Sequence, residues 1–134
     1  MISRRTEQIT PFIVMDVMEK AHSMERAGIH IVHLEVGEPD FDTPACIKDA
    51  AIRALHEGHT HYTHSLGLLE LREAICRYYH SSYGVSVEPD QVVVTSGTSP
   101  AMFMVFAALL EAGDEVIISD PHYACYPNFI RFAG

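Results

Sequence analysis

Positive charge is scarce in this sequence. Nine lysines and arginines stand against eighteen aspartates and glutamates, a formal net charge of −9. A surface of that sign repels phosphate backbones and anionic lipid, which excludes nucleic acid and membrane as main partners. No apolar run reaches the roughly 20 residues that cross a bilayer. The polar opening Met1–Gln8 is not followed by the apolar core of an export signal. Cys46, Cys76 and Cys125 are odd in number and lie outside any C-x-x-C spacing, so a reducing, cytoplasmic setting is expected. Neither a Walker loop nor G-x-G-x-x-G occurs. Internal repeats and low-complexity segments are also lacking.

What is present is apolar and patterned. Of the 134 residues, 48% are hydrophobic, enough for one globular domain with a core of its own. Thr10-Pro11 reads as a helix N-cap with proline at the first helical position. Met15, Met18, Ala21 and His22 follow at helical spacing, and Gly28 supplies the stop. Residues 29–36 form a strand candidate, and Gly37-Glu38-Pro39-Asp40-Phe41-Asp42 a turn-rich loop. Thr43-Pro44 repeats the cap-plus-proline signal before a helix with Ile47, Ala50, Ala51, Ala54 and Leu55 on one face, ended by Gly58. A third helix starts near Leu68, carries Leu71, Ala74, Ile75, Tyr78 and Tyr79 as its stripe, and stops at Gly84.

The stretch that organises the chain comes next. The β-branched run Gln91-Val92-Val93-Val94-Thr95 gives way to Ser96-Gly97-Thr98-Ser99-Pro100, then to the apolar run Ala101–Leu110. Strand, tight turn, helix is the expected local structure. At such a turn the first helical N–H groups have no carbonyl partner and the helix dipole adds positive character, so an anion such as phosphate is favoured. Ser96 and Thr98 can add hydroxyl donors, and Gly97 permits close backbone approach. Ordinary Ser/Thr capping of a strand-to-helix connection would produce the same residues. Residues 115–119 read as a second buried strand, broken by Asp120-Pro121, and a last helix is expected from about Ala124 to Ala133. Strand, helix, strand, helix predicts an α/β protein with a parallel-sheet core and crossover helices. Two such strands are few for a parallel sheet, so the chain reads as the N-terminal piece of a longer protein.

Those motifs, taken together, resemble the class I/II aminotransferases, fold-type I enzymes that use pyridoxal 5′-phosphate (PLP). The resemblance rests on Leu34-Glu35-Val36-Gly37-Glu38-Pro39-Asp40-Phe41-Asp42-Thr43-Pro44 and on Tyr62. It continues through Gly67-Leu68-Leu69-Glu70-Leu71-Arg72-Glu73-Ala74 and Val92-Val93-Val94-Thr95-Ser96-Gly97-Thr98. It closes with Gly113-Asp114-Glu115-Val116, Asp120-Pro121-His122-Tyr123 and Tyr126-Pro127. The motifs fall in the family's order and at its spacing over almost the whole chain.

The resemblance implies roles. Ser96, Gly97 and Thr98 match the turn that holds the PLP phosphate, and Tyr123 the aromatic that stacks on the pyridine ring. Tyr62 matches the tyrosine that reaches the phosphate of the neighbouring subunit's cofactor, implying a homodimer with shared active sites. Gly37 matches the glycine whose backbone lies against the substrate α-carboxylate. Residues 1–43 would then be an N-terminal arm and helix of the small domain, and 44–134 the beginning of the large PLP-binding domain. The implied reaction moves an amino group from an amino acid to a 2-oxo acid. Related PLP-dependent lyases and synthases share parts of the pattern.

The family's chemistry also needs a Schiff-base lysine, and the two lysines present, Lys20 and Lys48, fall in amphipathic helices at positions that do not match it. No catalytic residue is therefore expected in this chain, and it should not catalyse transamination alone. His56, His59, His61 and His64 lie close together, but no cysteine or paired carboxylate completes a ligand set; solvated loop histidines are expected, and no metal site. Cys125 is expected to be a buried thiol. A non-catalytic α/β module that binds a phosphorylated ligand at the turn after Thr95 is the alternative.

Overall fold

The computed structural model describes residues 2–134. Five α-helices carry most of its regular structure: α1 (Ile13–Arg26), α2 (Ala45–His56), α3 (Leu69–Tyr83), α4 (Thr98–Leu109) and α5 (Tyr126–Ala133). Short 3-10 turns occupy Arg4–Glu7 and Pro89–Gln91. Among the described residues no helix is long and apolar enough to cross a membrane.

The helix stops follow local backbone chemistry. Gly28 adopts φ +82° and donates its N–H to the Glu25 carbonyl at 2.8 Å, while Ile29 N–H reaches back to Met24 O at 3.1 Å. Gly84 closes α3 at φ +66° and donates to His80 O at 3.0 Å. A left-handed residue after the last turn satisfies carbonyls that the helix leaves open, and only glycine takes it without steric cost.

The helix starts differ from expectation. Thr10 does not cap α1, whose N-cap is Phe12 with no side-chain hydrogen bond. The reason is a competing partner: Thr10 N–H donates to Asn128 Oδ1 at 3.0 Å, and Asn128 Nδ2 donates to Thr10 O at 2.8 Å. At Thr43-Pro44 the proline itself stands at the cap of α2, its carbonyl accepting from Ile47 and Lys48. Gln91 does not open a strand; its side chain accepts the Glu88 N–H at 3.0 Å and closes a capping box around Pro89–Gln91.

The expected sheet is not seen in these residues. Among the described residues no β-ladder forms, so residues 29–36, 92–95 and 115–119 lie outside regular secondary structure. The physical reason lies in burial. Parallel strands are stable when both faces are covered, yet among the described residues only Ala21 and Arg72 are buried. The accessible surface is 11433 Å², against about 7,000 Å² for a folded monomer of this mass. Ile117, at the centre of the second expected strand, is 98% exposed. The apolar pattern that predicts strands is present; the neighbours that would cover them are not.

Two compact units carry the described residues. One holds those up to Phe41 together with Met102–Gly134, the other Asp42–Ala101. In the first, the Thr10–Asn128 pair is joined by Arg131, which donates to Gln8 O at 3.1 Å and to Thr10 Oγ1 at 3.3 Å. Phe103 of α4 meets Phe132 of α5 edge to face, ring centroids 5.2 Å apart. In the second, Arg72 is 5% exposed. Its Nε donates to Gly67 O at 3.2 Å and its Nη1 to Pro89 O at 2.8 Å, with the exposed carboxylate of Asp90 at 3.4 Å.

Candidate functional site

The turn before α4 is built from a short scaffold in the second unit. Val94 N–H donates to Leu66 O at 2.9 Å. Gly67 stands against Val94 at φ +97°, so close that a Cβ on it would lie 2.6 Å from the valine Cβ. Arg72 holds the Gly67 carbonyl from the other side. The run into the turn is thereby fixed by one backbone bond, one close approach and one buried guanidinium.

Thr95 Oγ1 then donates to Gly97 O at 2.7 Å and tightens the turn. Gly97 takes φ +117°, while nothing stands within 4 Å of the place a Cβ would occupy. Glycine is required there by conformation and not by lack of room. The helix follows directly at Thr98. Thr98, Ser99 and Ala101 present first-turn amides with no intrahelical acceptor, and Pro100 has no N–H to satisfy. Ser96, Gly97 and Thr98 are all exposed, and the first turn of α4 contains no acidic side chain to repel an anion. Converging N–H and O–H donors at the positive end of a 12-residue helix suit a phosphate-sized dianion.

The remaining expected residues are distributed as follows. Tyr62 is fully exposed in the segment between α2 and α3. Gly37 is exposed, with open space where a Cβ would stand and no left-handed backbone; neither strain nor crowding within this chain demands glycine there. Tyr123 is 48% exposed, and its ring meets Tyr126 at 5.4 Å and Phe12 at 6.3 Å, both near perpendicular. Its hydrogen bond with the Cys125 thiol holds the phenol above its ordinary pKa, so it stays protonated at neutral pH. Cys125 itself is half-buried beside that phenol, not the buried thiol expected. Ser96, Gly97, Thr98 and Tyr62 belong to the second unit, Gly37 and Tyr123 to the first.

Of the loop histidines, His64 Nδ1 accepts the Leu66 N–H at 3.1 Å, and His59 lies 3.5 Å from Glu57. Lys48 pairs loosely with Asp42 at 3.4 Å.

A second constellation escaped sequence reading. In the first unit, His33 Nε2 contacts Glu25 Oε1 at 2.9 Å and Nδ1 contacts Glu35 Oε1 at 2.6 Å. Carboxylates only accept, so both ring nitrogens donate and the ring is an imidazolium. Its pKa is raised from 6.5 to about 9, chiefly by the Glu35 bond and then the Glu25 bond. Both carboxyls are lowered below their usual range, first by their bonds to His33. Glu35 Oε2 also accepts the Leu34 N–H at 3.0 Å. His22 lies alongside, its ring centroid 5.6 Å from that of His33. The i, i+3 spacing of His22 and Glu25 was visible, but nothing local brings His33 to that face. Arg72 and Asn128 were missed for the same reason.

Comparison with known proteins follows the same lines. The family model "Aminotransferase class I and II" matches residues 29–134. A (5-formylfuran-3-yl)methyl phosphate transaminase of Methanocaldococcus jannaschii is 46% identical over all 134 residues, which cover 36% of its length. The aspartate/prephenate aminotransferase of Thermus thermophilus is 44% identical over 99% of this chain and 34% of its own. Among solved structures, a Thermus thermophilus aspartate aminotransferase tetra mutant complexed with tryptophan superposes with a TM-score of 0.95 at 45% identity, covering 100% of this chain and 35% of that one. The chain thus spans about a third of the length of the curated relatives it matches, 36% and 34% of these two.

Proposed function

The chain belongs to the class I and II aminotransferases, and from that membership we propose that the whole protein moves an amino group from an amino acid to a 2-oxo acid. Members of this family use PLP. The fit rests on one observation: an open helix N-terminus, flanked by Ser96 and Thr98 and free of acidic side chains in its first turn, ready for a phosphate. When bound, the cofactor supplies the electron-withdrawing ring that stabilises charge at the substrate α-carbon.

This chain's own residues bind and orient. The first-turn amides of α4, with the Ser96 and Thr98 hydroxyls, hold the phosphate as charge-assisted acceptor. The Tyr123 ring, protonated and anchored edge-on by Phe12 and Tyr126, offers a flat face for stacking. Gly37 leaves bare backbone for the substrate α-carboxylate. Tyr62, projecting into solvent, donates its phenol to the phosphate of a neighbouring subunit's cofactor in a cytoplasmic homodimer. The proton-shuttling lysine belongs to the part of the whole protein beyond this chain, as do the sheet neighbours of residues 92–95 and 115–119. Residues 1–43 belong to a small domain and 44–134 to the large one.

The test is borohydride reduction of the full-length protein as its own cells make it, followed by peptide mapping. The expected result is a reduced pyridoxyl adduct on a lysine outside residues 1–134, with amino-group transfer to a 2-oxo acid in the unreduced enzyme. An adduct with elimination products and no transfer moves the reading to a related lyase. A native product without any adduct overturns it in favour of a phosphate-binding module.

A further inference from the structure

The cluster around His33 has the composition and the layout of a metal centre, and no part of the phosphate turn uses it. His22, Glu25 and His33 each offer one ligand atom, and these atoms lie within 4.8 Å of one another. Tetrahedral ligands about 2.1 Å from a zinc ion stand ~3.4 Å apart. The His33–Glu25 separation of 2.9 Å therefore needs to open by only about half an ångström. Two imidazoles and one carboxylate form a borderline donor set suited to a divalent first-row ion, with a fourth position left to water.

Three further observations favour a cation. His22 and Glu25 sit at i, i+3 on α1, which presents both side chains from one helical face. The outer nitrogen of His33 is already bonded to a carboxylate, with Glu35 at 2.6 Å from Nδ1. Glu35 is itself pinned by the Leu34 N–H at 3.0 Å. Metal-bound histidines are oriented by that carboxylate–imidazole arrangement, which fixes the tautomer and leaves Nε2 for the ion. Finally, the cluster opens onto a cavity of about 390 Å³ lined by Met18, His22, His33, Glu35, Val36 and Glu38. Among the described residues no lysine or arginine lines it, so a cation enters without meeting a lysine or arginine.

We infer that His22, Glu25 and His33 bind a divalent transition-metal ion such as zinc, with Glu35 as the carboxylate that orients His33. On binding, the proton between His33 Nε2 and Glu25 is released to solvent and the ion takes its place on both groups. The ion joins α1 to the segment 29–36 that leads into Gly37. It is a structural tie and takes no part in the amino-transfer chemistry.

The experiment uses full-length protein made without a histidine tag and stripped with a chelator. Zinc is titrated against a chromophoric chelator. One zinc per chain at micromolar affinity or tighter is expected. His33→Ala and Glu25→Gln should each weaken it at least tenfold, and Glu35→Gln by about 10–100-fold. The triple variant His59→Ala, His61→Ala, His64→Ala should bind as the parent does. A measurement that needs no variant runs beside it. Zinc should shield His22, and not the loop histidines, from acylation by diethyl pyrocarbonate, read peptide by peptide; His33, whose two nitrogens are already held by carboxylates, is followed by the titration instead. Absence of zinc binding, binding that survives His33→Ala, loss of binding in the loop triple variant, or equal labelling with and without zinc would each overturn the assignment.

Discussion

The turn at Ser96–Thr98 and the cluster at His33 are opposite solutions to charge recognition within one acidic chain. The turn offers donors: backbone amides at the start of α4 and two exposed hydroxyls, with no acidic side chain in the first helical turn. The cluster offers acceptors and imidazoles that already hold one another, at 2.6 and 2.9 Å. One would suit an anion, because helix geometry leaves its first N–H groups unpaired. The other has excess carboxylate around two imidazoles, so it is complete only with a positive charge, whether proton or metal ion. In the reading proposed above, backbone would build the anion site and side chains the cation site. The first therefore depends most on its backbone scaffold, and the second on the identity of its side chains.

Removing the scaffold of the turn should give the largest effect. Arg72→Ala takes charged donors from the Gly67 and Pro89 carbonyls, and loss of such bonds with the packed stem should cost about 3 kcal/mol. Denaturant unfolding of the full-length protein reads that loss. Hydrogen exchange should rise at residues 92–97 and stay unchanged at residues 22–35; an equal rise in both would show that the two regions are not independently held.

A charge placed at the turn separates its two properties. Thr98→Asp puts a carboxylate at the N-terminus of α4, which should stabilise the cofactor-free protein by ~0.3–1 kcal/mol through the helix dipole. The same carboxylate repels a phosphate, so PLP affinity should fall at least tenfold. Thermal melts with and without PLP read both signs in one experiment. A variant that retains PLP affinity would remove the α4 terminus from the cofactor site.

The smallest effect is the pH response of the cluster, measured without metal. His33 has its pKa raised from 6.5 to about 9, so its stabilising charge is fully present below 6.5 and lost as pH rises through about 9. Glu25 and Glu35 are lowered from 4.5, so their share is present above 4.5 and lost as pH falls through their lowered values. The groups facing His33 are Glu25 and His22 from α1 and Glu35 from its own segment. The clamp should therefore be at full strength between 4.5 and 6.5. Histidine NMR should place the His33 midpoint well above 6.5, near 9. A midpoint near 6.5 would mean that the two carboxylates do not hold the ring.

How much of this was legible in the sequence depends on the distance over which each feature is decided. Gly28 and Gly84 ended helices as read, because a left-handed residue after the last turn is a local demand. Thr10 did not cap α1, because Asn128 offered both its amide oxygen and its amide nitrogen to the same backbone unit. No pattern near Thr10 announces a partner so far along the chain. His33 was passed over for a similar reason: in an extended segment it looks like a surface imidazole until α1 folds back beside it. The valines of residues 92–94 pointed to a strand by composition, but a ladder needs a second strand and cover on both faces.

The sequence by itself determined the helices, their glycine stops, the acidic balance and the strand-like run that turns into α4 at Ser96–Thr98. The charge balance is a matter of composition; the others are settled by residues within a few positions of one another, where backbone dihedrals and hydrogen bonds close in a single turn. Only the tertiary structure decided which carbonyls Arg72 would hold, which backbone Asn128 would claim, and that two histidines and two glutamates would meet at one point. Asn128 and Thr10 are 118 positions apart, and even the nearer pairs join different elements or cross a turn that no local periodicity specifies, so only folding brings these groups within bonding distance.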